Sequence, residues 1–163
     1  MNDFRAVLIA LRSSEVEFVI IGGVAGVIHG SSYITNDLDI CYARNKRNLE
    51  KISKCFEPLH TKLRGISEAI PFVLDTNTLK NGMNFTLTTN IGNVDLFGEV
   101  EGIGDYKKVS KAAIKIKLFG AEYLVLSLKN LIKAKQAVGR PKDKLILPEL
   151  KALLEATKKR NKS

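Results

Sequence analysis

Residues 19–40 read "VIIGGVAGVIHGSSYITNDLDI" and carry the strongest structural signals in the chain. The stretch starts inside a short apolar run rich in β-branched residues, 16–21, which is typical of a central strand covered on both faces. A glycine pair breaks this run, and residues 24–30 are short enough for a two-turn helix that ends at a glycine. The stretch closes on two aspartates one residue apart, and a core strand carries carboxylates only for a chemical reason.

The two aspartates, Asp37 and Asp39, occupy positions i and i+2 of a predicted strand over 37–43. Side chains at this spacing share one face of the strand, and the apolar residues of the strand share the other. Two carboxylates this close repel each other when ionised, so a cation or a proton should lie between them. Magnesium suits the position, because it takes one or two carboxylates and completes its octahedron with water and substrate phosphate. Alternatively, residues 35–39 form a polar turn that leads into the strand.

The glycine pair, Gly22 and Gly23, follows a predicted buried strand and precedes a short helix. Backbone N–H groups in such a turn can face a phosphate, although a glycine pair at a strand end can also be only a turn. The chain has neither GxxxxGK[ST] nor GxGxxG, which excludes a Walker A loop and a Rossmann dehydrogenase. Thr35, in the polar loop before the aspartates, is a further candidate contact to phosphate or ribose.

A third carboxylate, Asp95, lies in "GNVDLFGE" on another predicted strand. If that strand neighbours 37–43, three carboxylates converge on one spot. Such a cluster can hold two divalent ions, which stabilise the attacking and leaving oxygens of a phosphoryl or nucleotidyl transfer.

The elements outside this region alternate early between strands and helices and later pair as hairpins. The first part of the chain should contain a helix capped by Asn2 or Asp3, a helix over 46–59 and a strand at 71–75. Hairpins follow over 83–100 and 113–127. The chain then forms helices over 128–138 and 146–159, with Pro148 as a kink or a new start. This order predicts a mixed α/β or α+β fold, with a partly antiparallel sheet and helices on one side.

Composition places the chain among ordinary soluble globular proteins, with 163 residues, 45% apolar and 26% charged. It contains no run of eighteen apolar residues and no secretory signal pattern, so we expect a cytoplasmic protein without membrane contact. Two cysteines, Cys41 and Cys55, do not suggest a disulfide framework. Cys41 shares the carboxylate face, where we expect a small buried thiol.

Charge is distributed unevenly along the chain. Residues 1–106 carry ten Lys or Arg against thirteen Asp or Glu, whereas residues 107–163 carry sixteen against four. The basic part can attract a polyanion such as RNA, or its lysines only keep the surface soluble. We expect a catalytic core over 1–126 and a basic helical segment over 127–163 that packs on it.

Lys135 falls on the apolar face of its predicted helix, among Leu128, Leu131, Ile132 and Val138. A lysine that points at the protein body needs an anion, which a bound triphosphate would supply. Alternatively, only its stem lies on the core and the amine leaves at the helix end. Arg140 can reach phosphate, and Asp143 either orients Lys135 or caps the next helix.

Taken together, the glycine pair, "HG", "TNDLDI" and the later "VDLF" strand resemble the minimal nucleotidyltransferases of the DNA polymerase β superfamily, whose signature is hG[GS], then DhDh, then a third Asp. The C-terminal "LSLKNLIKAKQAVGRPKDKLILPELKALLE" is similar to the lysine and "RPKD" motif of abortive-infection AbiEii-type toxins. The resemblance covers 16–44, 84–100 and 123–155.

This resemblance implies transfer of NMP from an NTP to a hydroxyl, with two Mg²⁺ ions. Asp37 and Asp39 would be metal ligands, and Asp95 a third ligand that also helps to deprotonate the hydroxyl. The implied catalytic set is Asp37, Asp39, Asp95 and Lys135, and the implied nucleotide-binding set is Gly22, Gly23, Thr35, Lys135, Arg140 and Asp143. The family often has Ser at position 23, Arg at position 33 and an acid at position 146, where this chain has Gly23, Tyr33 and Ile146.

The sequence is compatible with three functions. The first is RNA or tRNA as acceptor, in a toxin held by a cognate antitoxin. The second keeps the chemistry but uses a small molecule such as an aminoglycoside, or a protein side chain. The third is a nucleic-acid-binding module that retains the fold without catalysis.

Overall fold

The computed structural model of the protein describes residues 3–162. Over this range the helices are α1 Phe4–Ser13, α2 Gly22–Ile28, α3 Lys46–Phe56, α4 Thr76–Asn81, α5 Tyr106–Lys111, α6 Leu128–Val138 and α7 Pro141–Lys162, with a 3-10 turn at Glu57–Leu59. The strands are β1 Phe18–Ile21, β2 Asp37–Tyr42, β3 Lys62–Leu63, β4 Asn84–Thr89, β5 Gly92–Phe97, β6 Glu99–Val100, β7 Gly104–Asp105, β8 Ala113–Leu118 and β9 Ala121–Leu126. Asp3 caps α1 by accepting from the backbone N–H of Ala6 at 3.0 Å, and the alternative cap, Asn2, lies outside the described residues.

A seven-stranded sheet organises the molecule, in the order β3-β4-β5-β2-β1-β9-β8. The β1/β9 and β2/β5 pairs are parallel, and the other four pairs are antiparallel. Strands β6 and β7 form a separate small hairpin. The predicted mixed, partly antiparallel sheet is confirmed.

Strand β1 lies near the centre of the sheet, and all four of its residues are buried, as its continuous apolar run predicts. The chain leaves β1 at Gly22, whose φ of +64° is strained for a residue with a side chain. Helix α2 starts at this residue and packs against β1, β2 and α6. The short helix predicted after β1 is therefore confirmed.

Strands β4 and β5 form the first predicted hairpin, and β8 and β9 form the second. Alternate residues of β4 and β5 are buried, which matches a sheet with one face against the core. The C-terminal helices share this core, because Leu131 and Ile132 of α6 and Leu147 and Leu150 of α7 belong to the same buried cluster. No helix in the described range is long and apolar enough to cross a bilayer.

One sequence-based prediction is wrong, and one of two alternatives at Pro148 is excluded. Residues 71–75 form no strand, because the free edge of β4 pairs with β3 instead and Asp75 caps α4. Helix α7 also runs unbroken through Pro148, so this proline does not begin a new helix. The sequence did not indicate α5 or the β6–β7 hairpin, whose strands are two residues long.

Candidate functional site

The three predicted carboxylates meet on one face of the sheet. β2 and β5 are parallel neighbours, with Asp39 opposite Asp95 and Asp37 opposite Asn93. Residues in register on adjacent strands point the same way, and residues i and i+2 of one strand do so as well. The pairing of β2 with β5 is therefore what brings Asp95 to the pair on β2.

One arginine, Arg64, binds two of these carboxylates. It immediately follows β3, and its guanidinium contacts Asp37 Oδ1 at 3.3 Å and, more closely, Asp95 Oδ1. It also donates to the carbonyl of Leu87 at 3.2 Å, and its side chain is 25% exposed. No sequence motif indicated Arg64. A cluster of three carboxylates requires positive charge nearby, but nothing in the local sequence shows which arginine supplies it. We call Asp37, Asp39, Asp95 and Arg64 the strand cluster.

Asp39 is the least satisfied member of the strand cluster. Its Oδ1 is buried and has no hydrogen-bond partner within the described structure. Burial, together with the charges of the Asp95 and Asp37 carboxylates, raises the pKa of Asp39 to about 7, although Lys135 acts in the opposite direction. Burial likewise raises the pKa of Asp95, with Arg64 acting in the opposite direction. At both carboxyls the neighbouring positive charge does not offset the effect of burial.

The donor set of the strand cluster fits a hard divalent cation. Its three carboxylates are the oxygen ligands that Mg²⁺ prefers, and an unpartnered buried oxygen on Asp39 is available for coordination. Among the described residues, however, no three His, Cys, Asp or Glu side chains are already arranged as a metal cage. One oxygen of Asp37 and one of Asp95 bind Arg64 instead.

The glycine pair lies directly against this cluster. A Cβ placed on Gly22 would stand 2.2 Å from Asp39 Oδ2, and one placed on Gly23 would stand 2.8 Å from Thr35 Oγ1. Real side chains do not make such contacts, so the backbone reaches the carboxylate only because these positions are glycine. Thr35 in turn donates to the Asp37 carbonyl at 3.1 Å. A serine at position 23 would collide with Thr35 as it stands.

A second cluster lies where α6 passes into α7. Asp143 is fully buried and binds Lys135 Nζ at 3.4 Å and Arg140 Nε at 2.8 Å. It also accepts from the Arg140 backbone N–H at 3.1 Å, so it both holds Lys135 and caps α7. Burial acts to raise the pKa of Asp143, but the hydrogen bond from Arg140 and the charge of Lys135 outweigh it and keep that pKa below its usual range. We call Lys135, Arg140 and Asp143 the helix cluster.

The three carboxylates of the strand cluster and all three residues of the helix cluster line one cavity of about 330 Å³. All nine residues of the predicted catalytic and nucleotide-binding sets line it: Gly22, Gly23, Thr35, Asp37, Asp39, Asp95, Lys135, Arg140 and Asp143. Tyr33 and Ile146, two positions where the chain departs from the resembled family, also lie in the wall. Further wall residues that the sequence did not suggest include Lys142, Glu99 and Glu101.

Other polar residues around the site have structural partners. His29 Nε2 lies 2.8 Å from the carbonyl of Leu126, which ties the end of α2 to β9. Ser32 donates to Glu149 of α7 from its backbone N–H at 2.9 Å and from its hydroxyl at 2.6 Å. Cys41 is fully buried, and burial raises the pKa of its thiol to about 12. These contacts fit packing roles for His29 and Cys41 and tie α7 to the loop before β2.

Comparison with known proteins finds similarity in structure. No family model matches the chain, and no curated protein matches its sequence. A candidate nucleotidyltransferase from Thermotoga maritima aligns with a TM-score of 0.56 and 18% identity, over 89% of this chain and 88% of that one. The antibiotic-resistance factor ANT(2″)-Ia, in complex with adenylyl-2″-tobramycin, aligns with a TM-score of 0.53 and 13% identity over 96% and 95%.

An antigenic nucleotidyltransferase-like protein from Paracoccidioides brasiliensis aligns with a TM-score of 0.53 and 15% identity, over 92% of this chain and 73% of that one. At these identities the similarity establishes the fold, and it spans both the sheet and the C-terminal helices. The chain has the nucleotidyltransferase fold.

Proposed function

We propose that the protein is a Mg²⁺-dependent nucleotidyltransferase that moves NMP from an NTP to a hydroxyl acceptor. The observation that carries the proposal is the meeting of the strand cluster and the helix cluster on one cavity. Three carboxylates can hold metal, and two cations opposite them can hold phosphate. The shared fold of the aligned nucleotidyltransferases supports this interpretation.

The three carboxylates of the strand cluster would all take part in that reaction. Asp37, Asp39 and Asp95 would hold the metal, which when bound stabilises charge on the attacking and leaving oxygens. The acceptor oxygen forms a bond to the α-phosphorus while the bond from that phosphorus to the pyrophosphate oxygen breaks. Asp95 accepts the proton of the acceptor hydroxyl, and pyrophosphate leaves with the electron pair of the broken bond.

The nucleotide would lie between the glycine pair and the helix cluster. Gly22 and Gly23 bring backbone close to Asp39 without a side chain in the way, and Lys135 carries positive charge toward the same carboxylate. Arg140 and Asp143 keep Lys135 in place. In the proposed division, the core over 1–126 would supply the metal ligands and the glycine pair, and the helical segment over 127–163 would supply the cations that hold phosphate.

RNA, including a tRNA end, is our first choice of acceptor, since residues 107–163 carry sixteen basic residues against four acidic ones. With the resemblance of the C-terminal motif, this supports an AbiEii-type toxin that a cognate antitoxin would restrain. A second candidate is a cationic small molecule, because Glu99 and Glu101 extend the acidic wall of the cavity and ANT(2″)-Ia was solved with an adenylylated antibiotic.

Incubation with each labelled NTP and Mg²⁺ tests the proposal, with total RNA in one arm and an aminoglycoside panel in the other. We expect label on RNA, and at least about a 100-fold loss in Asp37→Asn and Asp39→Asn. Asp75→Asn is the matched control, because Asp75 caps α4 away from the site and Asn also caps helices.

Label on aminoglycosides alone would replace RNA with the second acceptor. Transfer that persists in both site variants would reject the carboxylate assignment. Absence of transfer to any acceptor, together with RNA binding unchanged in Asp37→Asn, would favour a non-catalytic nucleic-acid-binding module.

A further inference from the structure

Arg64 is the one member of the strand cluster that the proposed chemistry does not use. Its guanidinium bridges Asp37 and Asp95, which belong to different strands, so it ties β2 to β5 at the position where metal is proposed. Three carboxylates and one arginine leave the cluster with an excess of negative charge. Arg64 therefore balances part of the charge that a divalent cation would balance when bound.

The contacts of Arg64 oppose a cation in two ways. First, it occupies Asp37 Oδ1 and Asp95 Oδ1, two oxygens that metal coordination needs. Second, its positive charge would lie within a few ångströms of the ion, where like charges repel strongly in a partly buried site. Simultaneous occupancy of the same carboxylates by Arg64 and a divalent cation is accordingly unfavourable.

Arg64 can leave without unpacking the core. It follows a strand of only two residues at the edge of the sheet, and its backbone N–H donates to the Thr86 carbonyl at 2.9 Å. The side chain itself is 25% exposed, and besides the two carboxylates it donates to the Leu87 carbonyl at 3.2 Å. Rotation about side-chain bonds is therefore enough to release the carboxylates.

We propose that Arg64 is a built-in competitor of the divalent cation. It holds Asp37 and Asp95 together while the site is free of metal, and it must release them when metal binds. The inference rests on the proposed metal site and adds its regulation: any contact that draws Arg64 away, including one with a substrate phosphate, would raise metal affinity.

Titration with Mn²⁺ alone, followed by the electron paramagnetic resonance signal of the free ion, tests this without any assay of activity. We expect Arg64→Gln to bind Mn²⁺ about tenfold more tightly than the wild type. The matched control is Lys62→Gln, which removes one positive charge two residues earlier in the chain, from an exposed pair with Glu68 at 3.0 Å. Its Mn²⁺ affinity should stay within about twofold of the wild type.

Thermal unfolding gives a second readout. Without metal, Arg64→Gln should melt below the wild type because its carboxylates repel each other, and Mn²⁺ should raise its melting temperature more than that of the wild type. Arg64→Lys keeps the charge but not the two-pronged contact. Its affinity for Mn²⁺ should lie between those of the wild type and Arg64→Gln. It also carries the test if Arg64→Gln does not fold.

Two results would overturn the inference, and they are distinguishable. Equal or weaker Mn²⁺ binding in Arg64→Gln, with binding still abolished by Asp39→Asn, would reject the competition by Arg64 and leave the proposed metal site standing. Absence of Asp39-dependent Mn²⁺ binding in both the wild type and the Arg64 variants would reject the metal site itself, and the inference with it.

Discussion

The carboxylates of the strand cluster and the residues of the helix cluster line the same cavity, yet their charges are balanced in opposite ways. In the strand cluster one guanidinium binds two of three carboxylates, and within the described part of the chain a buried oxygen of Asp39 has no hydrogen-bond partner. In the helix cluster two cations share one carboxylate, and both oxygens of Asp143 are bound. The helix cluster is thus complete without a ligand, whereas the strand cluster needs further positive charge. Loss of the Asp143 carboxylate from the helix cluster should therefore cost stability, and loss of a carboxylate from the strand cluster should change what the site binds.

The largest effect is expected from Asp143→Asn, because it leaves Lys135 without its carboxylate in a position that is only 15% exposed. Removing one partner of a buried ion pair costs about 3–5 kcal/mol of unfolding free energy. Urea denaturation at neutral pH measures it. Glu155→Gln is the control, since its pair with Lys158 is exposed and should be worth less than about 1 kcal/mol. Equal stability of the two variants would contradict the difference drawn between the clusters.

The stability difference between the wild type and Asp143→Asn should depend on pH. The pKa of Asp143 lies below its ordinary value in the folded protein, so ionised Asp143 stabilises the fold. The advantage of the wild type over Asp143→Asn should be complete above about pH 5. It should shrink as the pH falls through the lowered pKa of Asp143, where the carboxyl takes up a proton. Urea midpoints from pH 3 to pH 7 measure this, and a gap that widened on acidification would have the wrong sign.

Gly22→Ala should have the next largest effect, and it acts on the strand cluster. Alanine is strained at φ +64°, and its Cβ would stand 2.2 Å from Asp39 Oδ2. The strain and the collision together should cost about 2–4 kcal/mol. Gly120→Ala separates the backbone strain from the collision, because Gly120 has φ +77° and a Cβ placed there meets nothing within 4 Å. This substitution should cost only about 1–2 kcal/mol. Equal losses in the two variants would show that the approach of backbone to Asp39 is not tight.

The strand cluster also shows how far sequence patterns reach. Alternation along β2 predicted the shared face of Asp37 and Asp39, and the hairpin pattern of residues 83–100 predicted a strand under Asp95. Both are local signals with a period of two. The position of Lys135 on the apolar face of α6 likewise predicted an anion beside it, and Asp143 is one such anion.

Arg64 could not be found in the same way. It lies 27 residues from Asp37 and 31 from Asp95, in a region with little periodicity. Only the order of the strands brings it to the carboxylates, because β3 pairs with β4, and β4 with β5. Strand β3 is two residues long, which is too short to show alternation. Because β3 pairs with the edge of β4, residues 71–75 have no strand to pair with, despite their strand-like composition.

Lys135→Met should have the smallest effect on stability, since Arg140 still binds Asp143 through its side chain and backbone. The loss should appear instead in nucleotide affinity, at about tenfold, because a charge-assisted contact to phosphate disappears. Titration of each NTP, with the urea midpoint measured in parallel, separates the two quantities. Lys133→Met is the control, because Lys133 is exposed on the same helix. A stability loss as large as that of Asp143→Asn, with nucleotide binding unchanged, would mean that Lys135 only balances Asp143. Lys135 and Asp143 would then be purely structural, and phosphate recognition would pass to Arg140 or Lys142.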